Sequence, residues 1–227
     1  TPLPNGAWFA NMQLAVWRTD WDLENAMALW AKGGTLNDFH IHNDQGQVVV
    51  MNGAEPIFID AGAVAYGDPE YDAKFACSSG HNVIQTPSGL KRLKKEVRVP
   101  VEVERMDAKG GLLRIDASEA QPEVKSWQRR VEWSAEGKVT VTDEADLFDG
   151  KQPGDEWFRW HTGATAAPTV SGSGKAWQAT WGGPGQGAAM LGGRDANRVT
   201  LEGDRPLTVE ALPWRSALLK SNYVLVV

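Results

Sequence analysis

Apolar and polar residues alternate with a period of two along most of this chain. In residues 97–104, valine fills each odd position, while charged residues and one proline fill the even ones. This is the pattern of a strand with one buried face. Lys109-Gly110-Gly111 predicts a turn after it, and residues 112–116 predict the returning strand. Residues 127–134 and 138–143 predict a second hairpin of the same kind.

Further short runs with this alternation continue toward the C-terminus, separated by glycine-rich turns. They predict strands at residues 157–161, 176–181, 187–191, 198–202, 207–211 and 222–227. Many short strands at this spacing are typical of an antiparallel sandwich. We therefore predict an all-β fold, an antiparallel two-sheet β-sandwich. Residues 1–227 are expected to form a single domain, because no stretch has the length and composition of a linker.

The N-terminal third follows the same habit, with one ambiguous segment. Residues 6–18 alternate loosely and predict extended structure. Residues 23–32 contain good helix formers. Two glycines follow at once and the flanking segments are β, so we expect a strand there as well.

A hairpin in this third brings two polar residues toward each other. Residues 48–51 and 57–59 are apolar runs on either side of Asn52-Gly53, a strong hairpin signal. His42 precedes the first run, and Asp60 follows the second. Positions this far on either side of a hairpin turn can lie side by side, so His42 and Asp60 are expected to be neighbours.

The charge of the chain limits its partners. The net charge of −6 over 227 residues, without a long basic patch, excludes nucleic acid. Residues 91–95 form the densest basic run, which predicts either a solvated loop or a docking surface for an acidic sugar polymer. No apolar stretch reaches the length of a membrane span. The start at Thr1, without methionine, is typical of a processed or excised piece of a longer protein.

The histidines supply the candidate chemistry. Two of the four lie two residues apart, His40 and His42, close to Asp44. Asp60 follows a hydrophobic strand, and His81 lies in a serine- and glycine-containing segment further on. Two imidazoles and a carboxylate on separate strands are suitable ligands for a transition metal, zinc above all.

These residues belong to a longer pattern between residues 36 and 84. Its parts are Phe39-His40-Ile41-His42-Asn43-Asp44-Gln45-Gly46, then Ile59-Asp60-Ala61-Gly62, then Tyr66-Gly67-Asp68-Pro69-Glu70-Tyr71, then Ser79-Gly80-His81-Asn82-Val83. In order and spacing the pattern resembles the heparinase II/III-like family of polysaccharide lyases. The resemblance implies a two-part enzyme, in which an N-terminal helical toroid and a C-terminal β-sandwich enclose an anionic polysaccharide. This chain resembles the sandwich alone, so the toroid is an expected partner that would precede Thr1.

The same resemblance implies roles for individual residues. A structural zinc ion is expected on His42, Asp60 and His81, while His40 is expected to face the cleft as a catalytic residue. Residues two apart on a strand point the same way, so one histidine can hold the metal while the other reaches substrate. Tyr66 and Tyr71 are expected in the loop that approaches the substrate. The usual localisation of that family's members implies a periplasmic or secreted protein.

The implied reaction is β-elimination at a uronic acid. A base removes the C5 proton, which becomes acidic when a positive group neutralises the adjacent carboxylate, and an acid protonates the departing glycosidic oxygen. The resemblance places that acid, a tyrosine, on the toroid. Residues 1–227 alone are therefore expected to show no lyase turnover.

Two other interpretations concern the metal site itself. His42, Asp44 and His81 have the form of a 2-His-1-carboxylate iron oxygenase site, with Arg92 available to bind a 2-oxoacid. The choice of Asp44 or Asp60 as the third ligand separates that interpretation from the lyase. The alternative without metal is a hydrogen-bonded cluster of His42, Asp60 and His81.

A further alternative is a non-catalytic carbohydrate-binding sandwich. It needs an exposed line of aromatic residues, which Trp17, Trp21 and Trp30, or Trp157 and Trp160, would supply. His161 stands outside these patterns and is expected to be a strand histidine packed beside tryptophan.

Overall fold

The strands of the molecule carry nearly all of its regular structure. The computed structural model describes residues 3–37, 40–53, 55–93, 95–149, 157–161, 169–173, 176–181, 199–203, 216–219 and 223–226. In chain order the strands are β1 (Gly6–Phe9), β2 (Leu14–Arg18), β3 (Met27–Lys32), β4 (Gly34–Leu36), β5 (Val48–Asn52), β6 (Glu55–Phe58), β7 (Ile84–Gln85), β8 (Lys95–Val99), β9 (Val101–Asp107), β10 (Gly110–Asp116), β11 (Val124–Ser134), β12 (Val139–Leu147), β13 (Trp157–His161), β14 (Thr169–Ser173), β15 (Ala176–Trp181), β16 (Val199–Gly203), β17 (Ser216–Leu219) and β18 (Tyr223–Val226).

Helical structure in the described segments is limited to short turns. One π-type turn spans Tyr71–Phe75, and two 3₁₀ turns span Ser78–Gly80 and Ser88–Leu90. All three lie between β6 and β8, in the part of the chain that carries most of the candidate site. None of the helices within the described segments has the length and hydrophobicity needed to span a bilayer.

The strands form two large antiparallel sheets and two small ones. The first large sheet has the order β1-β2-β3-β5-β6, and the second has the order β14-β15-β16-β18-β12-β11-β10-β9. The small sheets are β17-β13-β7 and β4-β8. The fold class is therefore the all-β antiparallel sandwich that the alternation predicts.

The core lies between the two large sheets. On β3, buried Met27, Leu29 and Ala31 alternate with half-buried residues, so one face of the first sheet points inward. Trp17 of that sheet packs against Trp133 of the second, with ring centroids 6.0 Å apart. Burial of such large apolar side chains is the main source of stability in a sandwich.

Two of the predicted strands are divided in the structure. Residues 97–104 do not form one strand, because Pro100 has no backbone N–H to donate to a ladder. β8 pairs with β4, and β9 pairs with β10 instead. Residues 6–18 form a hairpin of β1 and β2, whose turn holds Gln13 at a φ of 51°.

The other predicted elements match where the structure describes them. Residues 27–32 are the strand β3 rather than a helix, and the hairpins β5–β6, β9–β10 and β11–β12 form around the predicted turns. β13, β15, β16 and β18 also lie at predicted positions. The predicted strands at residues 187–191 and 207–211 lie outside the described residues.

A buried ion pair joins the second sheet to the loops of the first. Arg129 on β11 and Asp143 on β12 are 1% and 2% exposed, and both nitrogens Nε and Nη2 bind the carboxylate at 2.8 and 2.9 Å. Arg129 Nη1 also donates to the carbonyl oxygens of Gly46 and Asn82, at 2.7 and 2.6 Å. The guanidinium lies 5.0 Å from the ring centroid of Trp127. This arrangement satisfies a charge that would otherwise be very unfavourable in the core.

The close approach of the loop to Trp127 and Arg129 requires a glycine at position 46. Gly46 has a φ of 98°, and a Cβ atom there would lie 2.5 Å from the ring of Trp127. The backbone of the first sheet's loop therefore lies directly on the indole, within reach of Arg129.

We predict that Arg129→Met destabilises the fold strongly. The substitution leaves the Asp143 carboxylate buried without its counter-ion, which typically costs about 3–5 kcal/mol. The matched control is Arg130→Met, because the half-exposed Arg130 pairs with Glu132 at the surface; we expect at most about 1 kcal/mol there. Urea denaturation measures both free energies of unfolding, and equal losses in the two variants would contradict the assigned role of Arg129.

Candidate functional site

The loop before β5 carries His40 and His42. The two histidines lie outside any strand, so the expected shared strand face is wrong, and His40 adopts a φ of 58° in a turn. The reason lies in Asn43, which is buried and bonded to another loop. Its backbone N–H donates to the carbonyl of Ala76 at 2.9 Å, and its side chain donates to the carbonyl of Lys91 at 2.7 Å.

His81 and Asp60 are joined by a short hydrogen bond. His81 Nδ1 lies 2.8 Å from Asp60 Oδ2, and the backbone N–H of Gly62 donates to Oδ1 at 3.0 Å. Burial alone would raise the pKa of the Asp60 carboxyl, but these hydrogen bonds and the charge of His81 more than offset it, so the pKa is lowered. Asp60 is therefore a carboxylate at neutral pH, fixed at the end of β6.

His42 lies against this pair. Its ring centroid is 5.2 Å from that of His81, and its side chain is half-buried. Burial lowers the pKa of His42, and the charge of His81 lowers it further. His42 is thus neutral at neutral pH, with a nitrogen lone pair available to a metal. The charges of Asp44 and Asp60 act in the opposite direction and raise the pKa of His42, that of Asp44 more strongly, and the described residues show no direct contact between the expected neighbours His42 and Asp60.

The residue types of this site suit a metal, but the positions of their side chains do not form a ligand set. Two imidazoles and a carboxylate are ligands that zinc accepts. His81 Nε2 is buried and makes no hydrogen bond within the described residues, which leaves a donor atom available for a ligand. In the part of the chain that the structure describes, however, no three histidine, cysteine or carboxylate side chains converge closely enough to hold a metal.

Two tyrosines connect the histidines. Tyr66 Oη lies 2.7 Å from His40 Nδ1, and Tyr71 Oη lies 3.4 Å from His42 Nε2. The two tyrosine rings meet edge to face at 5.0 Å. Tyr66 is 67% exposed and can reach a ligand, whereas Tyr71 is only 6% exposed and mainly supports His42. The substrate contacts of both tyrosines stay a prediction.

Asp44 pairs with a different residue. Lys32 Nζ lies 2.5 Å from Asp44 Oδ2, and the amide of Gln45 donates to Oδ1 at 3.1 Å. His81, by contrast, contacts Asp60. This pairing favours Asp60 over Asp44 as the carboxylate of the site and speaks against the oxygenase interpretation.

Gln47 and Asn82 support the site, and the sequence pattern does not single them out for that role. Gln47 donates to Asp60 Oδ2 at 3.3 Å and accepts from the backbone N–H of Asn82 at 2.5 Å. The side chain of Asn82 donates to the carbonyls of Val48 and Ile59, at 2.9 and 3.2 Å, and so links β5 to the end of β6. The position of Asn82 directly after His81 is the one sequence signal that could have identified it.

Arg92 has a different place from the one considered for an oxygenase. Its Nε donates to the carbonyl of Ile41 at 2.9 Å, and its guanidinium lies 5.9 Å from the ring centroid of Tyr71. Arg92 therefore holds the backbone between His40 and His42.

His161 is buried behind the pair of His81 and Asp60. Its backbone N–H donates to Asn82 Oδ1 at 2.7 Å, and its Nε2 lies 3.0 Å from the carbonyl oxygen of Ser79. A carbonyl only accepts, so Nε2 carries the proton. Burial, followed by the charge of Arg159, lowers the pKa of His161 to about 3.

The aromatic line of a carbohydrate-binding module does not form as expected. Trp17 and Trp160 are fully buried in the core, so each proposed line loses a member. Trp21 is exposed and Trp30 is half-buried. Aromatic residues thus contribute to the core more than to an extended binding face.

Comparisons with known proteins identify the family and the fold of the chain. A family profile described as "Heparinase II/III-like, C-terminal" matches residues 1–215. A mutant of heparan sulfate lyase HepC from Pedobacter heparinus has the same fold at 16% identity and a TM-score of 0.65, with 100% of this chain and 34% of that chain covered. A heparinase III structure matches at 13% identity and a TM-score of 0.58, with 100% and 37% covered. No curated protein sequence matches. The chain thus spans about a third of the solved enzymes.

We predict that His161 makes the protein less stable in acid. The unfolded state takes up a proton near pH 6.5, whereas folded His161 does so only at about pH 3. Between these values the unfolded state holds more protons, so stability falls as the pH falls. His161→Gln keeps a donor for Ser79 and should reduce the stability loss between pH 7 and pH 5 by about 2 kcal/mol. Urea denaturation at both pH values measures it, and an unchanged pH dependence would refute the prediction.

Proposed function

This chain belongs to the heparinase II/III-like C-terminal family, and on that premise we propose that it is the sandwich part of a polysaccharide lyase. The proposed reaction is β-elimination in a glycan that contains uronic acids. The observation that carries the proposal is the cluster of His40, His42, Tyr66 and Tyr71 beside the pair of Asp60 and His81. It combines an exposed histidine and tyrosine with a polar pair in which His81 is buried and Asp60 is partly exposed.

His40 is the proposed base. In the proposed tautomer, Nδ1 carries the ring proton and donates to the hydroxyl oxygen of Tyr66, which fixes the ring orientation and leaves the lone pair of Nε2 to take the C5 proton of a uronate. His40 also has a positive φ, which is unusual for a residue with a side chain, although histidine tolerates it better than most. Asn43 and Arg92 hold the surrounding loop, so that conformation is supported from both sides.

The acid and the rest of the cleft are proposed to come from outside this chain. The solved relatives are about three times as long, and their extra part would supply the helical toroid and a tyrosine acid. We expect residues 1–227 alone to give no turnover. The proposed setting is the periplasm or the extracellular space, where acidic glycans are available.

Zinc is the proposed metal of the pair of His81 and Asp60 together with the neighbouring His42. The side chains of His42, Asp60 and His81 would hold it. They do not converge on one point in the described structure, so zinc would have to draw them together, and the unused Nε2 of His81 is the observation that supports the assignment. When bound, zinc would supply a structural cross-link between the loop before β5 and the segments after β6. The cross-link would make the cluster of His40, His42, Tyr66 and Tyr71 more rigid.

We predict that His40→Ala lowers kcat by about 10²–10⁴-fold on a uronate glycan, because the proton acceptor is lost. The full-length protein is assayed by the absorbance of the unsaturated uronate that elimination creates. Tyr66→Phe removes only the hydroxyl that orients His40 and should have a smaller effect. His161→Gln is the control, since His161 lies behind the site. Full activity of His40→Ala would exclude His40 as the base.

We predict that the purified protein contains one zinc ion per chain and that His42→Ala, Asp60→Asn and His81→Ala each lose it. Elemental analysis by mass spectrometry measures the stoichiometry directly. Asp44→Asn is the matched control, because Asp44 is bonded to Lys32 and should be dispensable for the metal. Loss of metal in Asp44→Asn with retention in Asp60→Asn would instead favour the oxygenase arrangement.

A further inference from the structure

A cavity of about 310 Å³ lies on the outer face of the first sheet, next to the candidate site. On β3, the core-facing residues alternate with residues that point away from the core, and Trp30 and Lys32 are among the latter. The volume is at the lower end of the range of about 300–1,000 Å³ typical of small-molecule sites. Such a cavity is large enough for a single ring.

The wall of the cavity is apolar on one side. Trp30 lies opposite Val49 in the pairing of β3 with β5, and Leu14 and Ile59 complete this side. Trp30 is half-buried rather than covered by the core. An apolar sheet surface that points away from the core favours a ligand with an apolar face of its own.

The opposite wall is polar, and among the described residues that line it the cation, Lys32, is already paired. Lys32 is paired with Asp44 at 2.5 Å, so these two charges neutralise each other. Gln47 adds a neutral amide, which donates to Asp60. Asp60 itself is engaged by His81. The wall therefore offers hydrogen bonds to hydroxyl or acetamido groups, without an unpaired positive charge for a carboxylate or sulfate.

We propose that this cavity is a subsite for a pyranose ring without an acidic group, a neutral hexose or hexosamine. The C–H face of the ring lies on Trp30, whose π face is electron-rich, and the hydroxyl groups meet Lys32, Asp44 and Gln47. The subsite deepens the proposed function and rests on it in one respect: the ring it takes is the sugar next to the uronate in the glycan. Trp30 is then a specificity-determining residue beside the catalytic cluster.

The test uses the full-length protein and two monosaccharide probes, N-acetylglucosamine and glucuronate. Saturation-transfer NMR detects each sugar, and titration gives its affinity. Trp30→Ala should weaken N-acetylglucosamine binding by about tenfold or abolish it, while Trp30→Phe keeps most of it. Trp21→Ala is the matched control, because Trp21 is an exposed tryptophan held by Arg18 away from the cavity. Leu14→Trp fills the cavity without removing Trp30 and should also abolish binding.

The outcomes separate this subsite from the proposed lyase activity. Unchanged N-acetylglucosamine binding in both Trp30→Ala and Leu14→Trp overturns the subsite, as does a wild-type protein that does not bind that sugar. A stronger dependence of glucuronate than of N-acetylglucosamine on Trp30 overturns the choice of sugar. If the cavity binds N-acetylglucosamine but the protein forms no unsaturated product from uronate glycans, the proposed function fails while the subsite stands.

Discussion

The buried ion pair of Arg129 and Asp143 is the interaction on which the rest of the structure depends. A charge in the core is tolerable only when every donor finds an acceptor. Arg129 makes four such hydrogen bonds, two to the Asp143 carboxylate from its own sheet and two to the carbonyls of Gly46 and Asn82 from the loops of the opposite sheet. One side chain thus fixes the spacing of the two sheets and the positions of two loops.

The candidate site lies directly on these loops. Gly46 precedes Gln47, which donates to Asp60, and Asn82 follows His81, which contacts the same carboxylate. Arg129 therefore helps to position the pair of His81 and Asp60 through the backbone of the two neighbouring residues. The histidines of the outer loop are held separately, by the hydrogen bonds of Asn43 and Arg92. This arrangement is suited to hold His40, the proposed base, at a fixed position beside the pair of His81 and Asp60.

The sequence could predict the strands because their side chains alternate between apolar and polar. It could also predict that Arg129 points inward, because alternate positions of the same strand hold the buried residues Trp127, Val131 and Trp133. The partners of Arg129 could not be predicted in the same way, because Gly46 and Asn82 are contributed by distant loops. The prediction of a strand at His40 is wrong for the same reason. The side chain of Asn43 forms hydrogen bonds with Gly89 and Leu93, which lie 46 and 50 residues further along the chain. Local alternation carries no information on such contacts.

The proposed reaction is an elimination, and the observation behind it is the cluster of histidines and tyrosines. Elimination and hydrolysis differ in the total mass of their products, because hydrolysis adds a water molecule and elimination does not. The most direct measurement is mass spectrometry of the products that the full-length protein forms from a defined uronate-containing oligosaccharide. Elimination predicts product masses that add up to that of the substrate, with one unsaturated uronate. Product masses that exceed the substrate by one water, or an oligosaccharide left uncut, would contradict it.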